Sequence, residues 1–340
     1  MNVRIALGML LLAAAAAAQA QSDHPEDTPD QPGAYLSAVF GNGRMHGDND
    51  EGTQWMRKRT FEVRAGRETP NLADGTRVDF VHYNEGHPEN NHRDGFAVQW
   101  LAVRPLGGLE GELGLGPYLS MNTTTLEGRQ RDDANWGLLL SAALRVPLGF
   151  MPDGTHLRIG LNHVRMPTVH NSTALMIGLG RQFGAAAPAR STEPASEPLW
   201  VGLSYGNSIT NMSGTDGAYA AILEVRKYMA AEGPFKHWAA SLKYVDEGDD
   251  GARVDRRGVA GQIWYVQQVT PRFAMSAGIG PYITRNRRED ERMRGNLLVS
   301  FQAEHALSLH TRVFVNFNRV KTLRQTDDRD LWQVGILKGF

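Results

Sequence analysis

The chain has 340 residues, a formal net charge of −1, 37 glycines and no cysteine. Without cysteine there is no disulfide, no thiolate chemistry, no Cys-ligated metal and no lipidated cysteine of a lipoprotein. A charge balance near zero implies no polyanionic partner, so no nucleic-acid contact is expected.

The N-terminus reads as a secretory signal. Arg4 supplies the positive region, Ala6 to Ala18 is apolar, and Ala18-Gln19-Ala20 is a small-x-small site, so residues 1–20 are expected to be removed after Ala20. Residues 21–33 then form a polar leader. Nothing further along approaches the roughly 18 consecutive apolar residues of a spanning helix.

From residue 34 onward the chain breaks into apolar/polar alternating segments separated by polar or Gly-rich turns, the pattern of half-exposed strands. In the first unit (34–183) the strands fall near 34–42, 56–66, 75–84, 94–105, 108–121, 135–148, 155–166 and 172–183. Residues 184–198, rich in Ala, Pro, Ser and Glu, read as an extended linker. The second unit (199–340) gives strands near 199–207, 217–229, 236–246, 257–269, 271–284, 295–307, 309–322 and 329–340. Most are long enough to cross a bilayer as tilted strands of about 9–11 residues.

The two units are copies of each other. Gly114-Leu115-Gly116-Pro117-Tyr118 recurs as Gly278-Ile279-Gly280-Pro281-Tyr282, and Asn122 as Asn286. Glu62-Val63-Arg64 recurs as Glu224-Val225-Arg226, Gln99 as Gln262, Arg158 as Arg312 and Asn162 as Asn318. Tyr83 followed by Glu85-Gly86 matches Tyr244 followed by Glu247-Gly248, with one residue inserted.

Alternation assigns faces. Phe96, Val98 and Trp100 oppose Ala97 and Gln99; Leu157, Ile159 and Leu161 oppose Arg158 and Asn162. Apolar faces are expected to meet lipid and polar faces a lumen. The fold class is therefore all-β, a transmembrane antiparallel barrel. Many small lumen residues, charges that can pair, and the length of the linker favour two tandem eight-stranded barrels. One sixteen-stranded barrel with an aqueous channel is the alternative.

The closing segment, with Trp332, Val334, Ile336 and Lys338 at alternate positions before the terminal Phe340, resembles the last strand of Gram-negative outer-membrane β-barrel proteins. Leu179, Arg181 and Phe183 look like the same strand in the first unit. The resemblance implies a cell outer-membrane location and recognition of the Phe340 strand by the barrel assembly machinery. It also implies contact with membrane lipid and lipopolysaccharide, but no particular activity.

Three groups could carry chemistry. His82, Glu85, His87 and His92 with Asp94 form a polar run whose residue types suit a metal or a general base. Its spacing matches no metal signature, and the second copy has no histidine there, so a polar loop is the preferred reading and no metal is assigned. The lumen set Glu62, Arg64, Gln99, Tyr118, Asn122, Arg158 and Asn162, repeated as Glu224, Arg226, Gln262, Tyr282, Asn286, Arg312 and Asn318, could bind a ligand or form an interior hydrogen-bond network. Its repetition favours the network. Asn162-His163 and His170 raise a likeness to the outer-membrane lipid A deacylase, an eight-stranded enzyme with Ser and His on its outer wall, but no His-x-Ser-Asn pattern is present. Arg287, Arg288, Arg292 and Arg294, mixed with Glu289, Asp290 and Glu291, read as a solvated loop that can touch lipopolysaccharide phosphates. No cofactor motif occurs.

A non-enzymatic envelope protein whose extracellular loops contact the exterior or lipopolysaccharide is thus the leading expectation. A sixteen-stranded pore for solute or polysaccharide is the second. A lipid-modifying enzyme using His163, His92 or Glu85 is the third.

Overall fold

The computed structural model describes residues 33–46, 55–69, 72–86, 91–126, 129–184, 199–210, 217–230, 235–270, 272–289, 292–323 and 327–340. The expected signal and nearly all of the leader and of the linker lie outside them.

The first barrel contains β1 (Ala34–His46), β2 (Trp55–Glu68), β3 (Thr76–Gly86), β4 (Asn91–Leu106), β5 (Leu109–Leu126), β6 (Arg129–Pro147), β7 (Thr155–Arg165) and β8 (Asn171–Gln182). The second contains β9 (Leu199–Thr210), β10 (Ala218–Tyr228), β11 (Trp238–Asp249), β12 (Asp255–Thr270), β13 (Phe273–Asn286), β14 (Met293–Ser308), β15 (Thr311–Thr322) and β16 (Arg329–Gly339). Every neighbouring pair is antiparallel, and each set closes on itself: β1 pairs with β8 from Tyr35↔Gln182 to His46↔Asn171, and β16 with β9 from Arg329↔Thr210 to Gly339↔Trp200. Both edges of β8 are thereby used, which leaves none for β9. The sixteen strands form two eight-stranded barrels, not one wide one.

Burial follows the alternation, inside out relative to a soluble protein. On the outside, Val98, Trp100, Leu113, Leu115, Leu161, Leu175 and Ile177 are exposed in the first barrel, as are Leu203, Leu223, Leu242, Ile263 and Ile279 in the second. Inside, Glu62, Arg64, Arg158, Glu224, Arg226 and Arg256 are buried. We term the end carrying the connections after odd-numbered strands the upper end.

Strands run further at the upper end than apolar alternation suggests. β5 continues to Leu126 and β6 begins at Arg129, pairing through Thr124↔Arg131 and Leu126↔Arg129. Alternation reports where lipid stops; ladder hydrogen bonding needs no apolar face and continues through the Thr-rich tip.

One repeat match changes sides. Tyr83 is fully buried in the first lumen, whereas Tyr244 is 46% exposed on the outer wall of the second barrel. The residue inserted between Tyr244 and Glu247 explains this, because a one-residue shift in a strand exchanges faces. Glu85 and Glu247 both remain inside.

The Gly-x-Gly-Pro-Tyr repeat is a feature of wall construction. A Cβ on Gly116 would lie 1.9 Å from the Val98 carbonyl oxygen, and one on Gly280 1.8 Å from that of Gly261. Pro117 and Pro281 follow immediately and donate no ladder hydrogen bond, so β4–β5 and β12–β13 approach closely at equivalent places. We expect Gly116→Ala to cost about 1–3 kcal/mol, because the clash is with backbone and no rotamer relieves it. A heat-shifted gel run over a temperature series checks this through a lower melting temperature of the folded species.

Candidate functional site

In the first barrel the lumen is organised in layers. At the lower end, Arg77 lies with its guanidinium 3.5 Å from the Tyr35 ring centroid and pairs with Asp79 and with Glu112 at 2.9 Å. Arg158 joins this layer to the next, donating to Glu112 and to Glu62, each at 2.9 Å. Glu62 also accepts from Arg64 at 2.7 Å and from Asn162 at 2.5 Å. Arg64 reaches Gln99 at 2.5 Å and Ser141 at 2.8 Å; Ser141 donates to Asn162 at 2.7 Å. Gln99 turns its amide to the Leu139 carbonyl at 2.7 Å.

Above this lies an apolar layer of Val39, Val81, Tyr83, Ala97, Tyr118, Leu139, Val164, Met166, Ala174 and Met176. Above that, Glu85 accepts from the Tyr118 hydroxyl at 3.0 Å and from Ser172, and faces Arg93 at 3.3 Å. Asn122 accepts from Ser120 at 2.8 Å in the same upper region.

The second barrel repeats the plan with different partners. Arg226 donates to Glu224 at 2.8 Å and to Glu304 at 2.6 Å, and lies 4.2 Å from the Trp264 ring. Arg312 bridges Glu304 at 3.2 Å and the Tyr228 hydroxyl at 2.9 Å, stacked 4.2 Å from Trp200. Gln262, Ser300 and Asn318 form a polar chain, with Gln262 donating to Ser300 at 2.9 Å and Ser300 to Asn318 at 2.6 Å. An apolar layer of Ala220, Ile222, Val245, Ala260, Tyr282, Leu298, Val320 and Leu331 follows. At the top Glu247 takes both arms of Arg256 at 2.7 Å. Asn286 donates to the Arg253 carbonyl at 3.0 Å and accepts from the Asp255 and Arg288 amides, at 3.0 and 3.2 Å, so it shapes a turn.

The lumen residues singled out from sequence therefore meet one another. Glu62, Arg64, Gln99, Arg158 and Asn162 form one connected cluster, while Tyr118 and Asn122 stand in and above the apolar layer. In the second barrel Glu224, Arg226 and Arg312 connect through Glu304, whereas Gln262 and Asn318 form a separate chain. Sequence reading missed Arg77, Asp79, Glu112 as a bridge, Glu304, the rim pair and Lys243, whose amine lies 3.8 Å from Glu224 and 4.5 Å from the Trp264 ring. The rim had a readable signal: Glu85 and Arg93 have counterparts in Glu247 and Arg256, at nearly the same spacing in both copies.

The candidate catalytic residues do not come together. Glu85 points into the lumen. His82 lies on the outer wall, its Nε2 3.1 Å from Asp94 and its ring stacked on Phe96. His92 is placed 3.1 Å from the Asn84 amide. Neighbouring strand positions face opposite sides of the wall, so the sheet separates Glu85 from the two imidazoles; His87 is outside the described residues. His163 stands apart on the outer wall, 2.9 Å from the Thr173 hydroxyl. In the Arg-rich loop, Arg288 clamps Asp249 at 2.7 and 2.8 Å, Arg287 faces Asp255 at 3.6 Å and Arg294 faces Glu289 at 3.3 Å. Those cations are already engaged within the protein.

No family model matches the chain, and no curated protein does. Among solved structures, the chain is similar to Neisserial surface protein A, with 17% identity and a TM-score of 0.34 over 44% of this chain and 97% of that one. It is similar to the N-terminal β-barrel domain of Pseudomonas aeruginosa OprF, at 12% identity and a TM-score of 0.33 over 45% and 100%. An outer membrane channel from Pseudomonas putida F1 matches at 12% identity and a TM-score of 0.23, over 94% of this chain and 100% of that one. At these identities no activity transfers.

Two outcomes are expected. Glu62→Ala leaves Arg64 and Arg158 buried without their shared counter-charge, a loss of roughly 3–5 kcal/mol, read as a lower heat-shift temperature. Asp250, between β11 and β12, accepts from the amides of Ala252, Arg253 and Val254 at 3.0, 2.7 and 2.9 Å. Burial opposes its ionisation, but these donors and Thr210 hold its carboxyl below the ordinary value. A depressed folded-state value means the stabilisation is complete above the unfolded value of about 3.9 and is lost as pH falls through the folded one. Amide exchange at residues 252–254, corrected for the intrinsic rate at each pH, should therefore speed up on acidification below about pH 4, and Asp250→Asn should weaken that pH dependence.

Proposed function

We propose that the protein is an envelope protein of the cell outer membrane whose two barrels are closed anchors, with loops at the upper end turned to the exterior or to lipopolysaccharide. The observation that carries this reading is the filling of each lumen. A polar ion-pair layer, an apolar layer and a charged rim follow one another with no change of plan between the copies. Eight strands leave an interior that side chains can fill, and these do. The pore alternative required one wide barrel. The lipid-modifying alternative loses Glu85 and His92, which sit apart from each other and from His163.

Single-channel recording of the refolded full-length protein in a planar bilayer tests the reading, with a heat-shifted gel to establish folding. Silence from inserted, folded protein is the expected result. Large, stable conductance steps would sink it and point to transport.

A further inference from the structure

The outer wall of the first barrel departs from the plain apolar belt on β7, β8 and β1. His163, Thr173 and Arg44 are successive partners across these strands. The Thr173 hydroxyl lies 2.9 Å from His163 Nδ1 and 2.7 Å from His46 Nε2, and the two imidazole rings are 6.0 Å apart. Arg165 is the next outward residue above His163, and Arg44 also lies over the Trp55 ring at 5.8 Å. Among the described residues from Ala134 on β6 across β7, β8 and β1, the outward positions carry Arg44, His46, His163, Arg165 and Arg181 and no carboxylate.

An apolar groove of about 450 Å³ runs from His163 across β6 and β5 to β4. Its walls are Trp100, Leu113, Leu115, Leu140 and Leu161, and the small Ala102 and Ala142 leave the space between them. Two guanidinium groups, Arg44 and Arg165, with the imidazoles of His46 and His163 as further hydrogen-bonding groups, stand at the upper edge of an apolar groove and are complementary to an amphiphile with an anionic head. The second barrel arranges the equivalent positions differently. At the equivalent places of the second barrel Arg319 and Asp330 form an ion pair at 2.9 Å, with Ile209 opposite Asp330 where the first barrel has Arg44. The same wall closes there with its charge neutralised.

We propose that this wall is a binding site for a phosphorylated lipid of the outer leaflet, its phosphate held by Arg44, His46, His163 and Arg165 and one acyl chain lying in the Trp100–Leu161 groove. Thr173 positions the two imidazoles by sharing its hydroxyl between them. The site rests on the reading of the first barrel as a transmembrane anchor.

Full-length protein in nanodiscs containing diphosphoryl lipid A, or the same lipid with its phosphates removed, tests this by native mass spectrometry of the lipid retained. The phosphorylated form should be retained in preference by about tenfold or more, the scale of one charge-assisted hydrogen bond. Arg44→Ala with His163→Ala should abolish the preference. Ala142→Trp, which fills the groove from the lipid side, should weaken retention of both forms, and Ile209→Ala in the second barrel should change neither. Equal retention of the two lipids, or a preference that survives the double substitution, overturns the site. Protein that shows no heat shift and does not enter the nanodisc overturns the membrane reading with it; protein that inserts but shows no preference overturns the lipid site alone.

Discussion

A charge that points into an eight-stranded barrel has nowhere to go but across it. The interior is about one side chain deep from each wall, water is largely displaced, and an unpaired ion there costs several kcal/mol. Glu62 shows how the constraint is met: Arg64, two residues along the same strand, Arg158 from β7 and Asn162 from the same strand converge on its two oxygens. Once that carboxylate is fixed, Gln99 and Ser141 are fixed by what Arg64 still has to donate. Strand register follows from the same cluster, since a one-residue slip would carry each of these groups into lipid.

The two copies solve the constraint by different charge arrangements. In the first, Glu112 receives Arg77 and Arg158, while Arg145 stands beside it at 3.7 Å. In the second, Glu304 receives both Arg226 and Arg312, and two tryptophans supply the aromatic faces on which those arginines rest. The bridging carboxylate stands on β5 in the first barrel and on β14 in the second, with three arginines around it in one and two in the other. What the duplication holds constant is that each buried lumen carboxylate meets a guanidinium, together with the apolar layer, more than the identity of each pair.

This explains how far the sequence could be read. Strand order and faces were legible because lipid and lumen impose a period of two on every strand. The partners of Glu304 and Asp79 were not, because they arise only when strands distant in the chain curve round to face one another. Tyr244 illustrates a subtler limit: its match to Tyr83 is real as a string of residues, yet one inserted residue places it outside. The run from His82 to His92 looked like a cluster because it spans one hairpin, β3 and β4, whose residues are close in sequence whichever side of the wall they face. The wall that divides Glu85 from His82 and His92 appears only with the fold.

The lumen and the outer wall therefore carry different kinds of information. Inside, both copies converge on a filled interior whose carboxylates are paired, the answer that burial alone would demand. Outside, lipid asks only for apolar surface, and most positions in both barrels comply. The copies differ there: Arg319 pairs with Asp330 in the second barrel, whereas Arg44 and Arg165 flank two imidazoles beside a groove in the first. The proposed lipid site lies where the repeat breaks on the outer wall, and it asks of the first barrel a contact that the paired and buried Arg319 and Asp330 of the second do not offer.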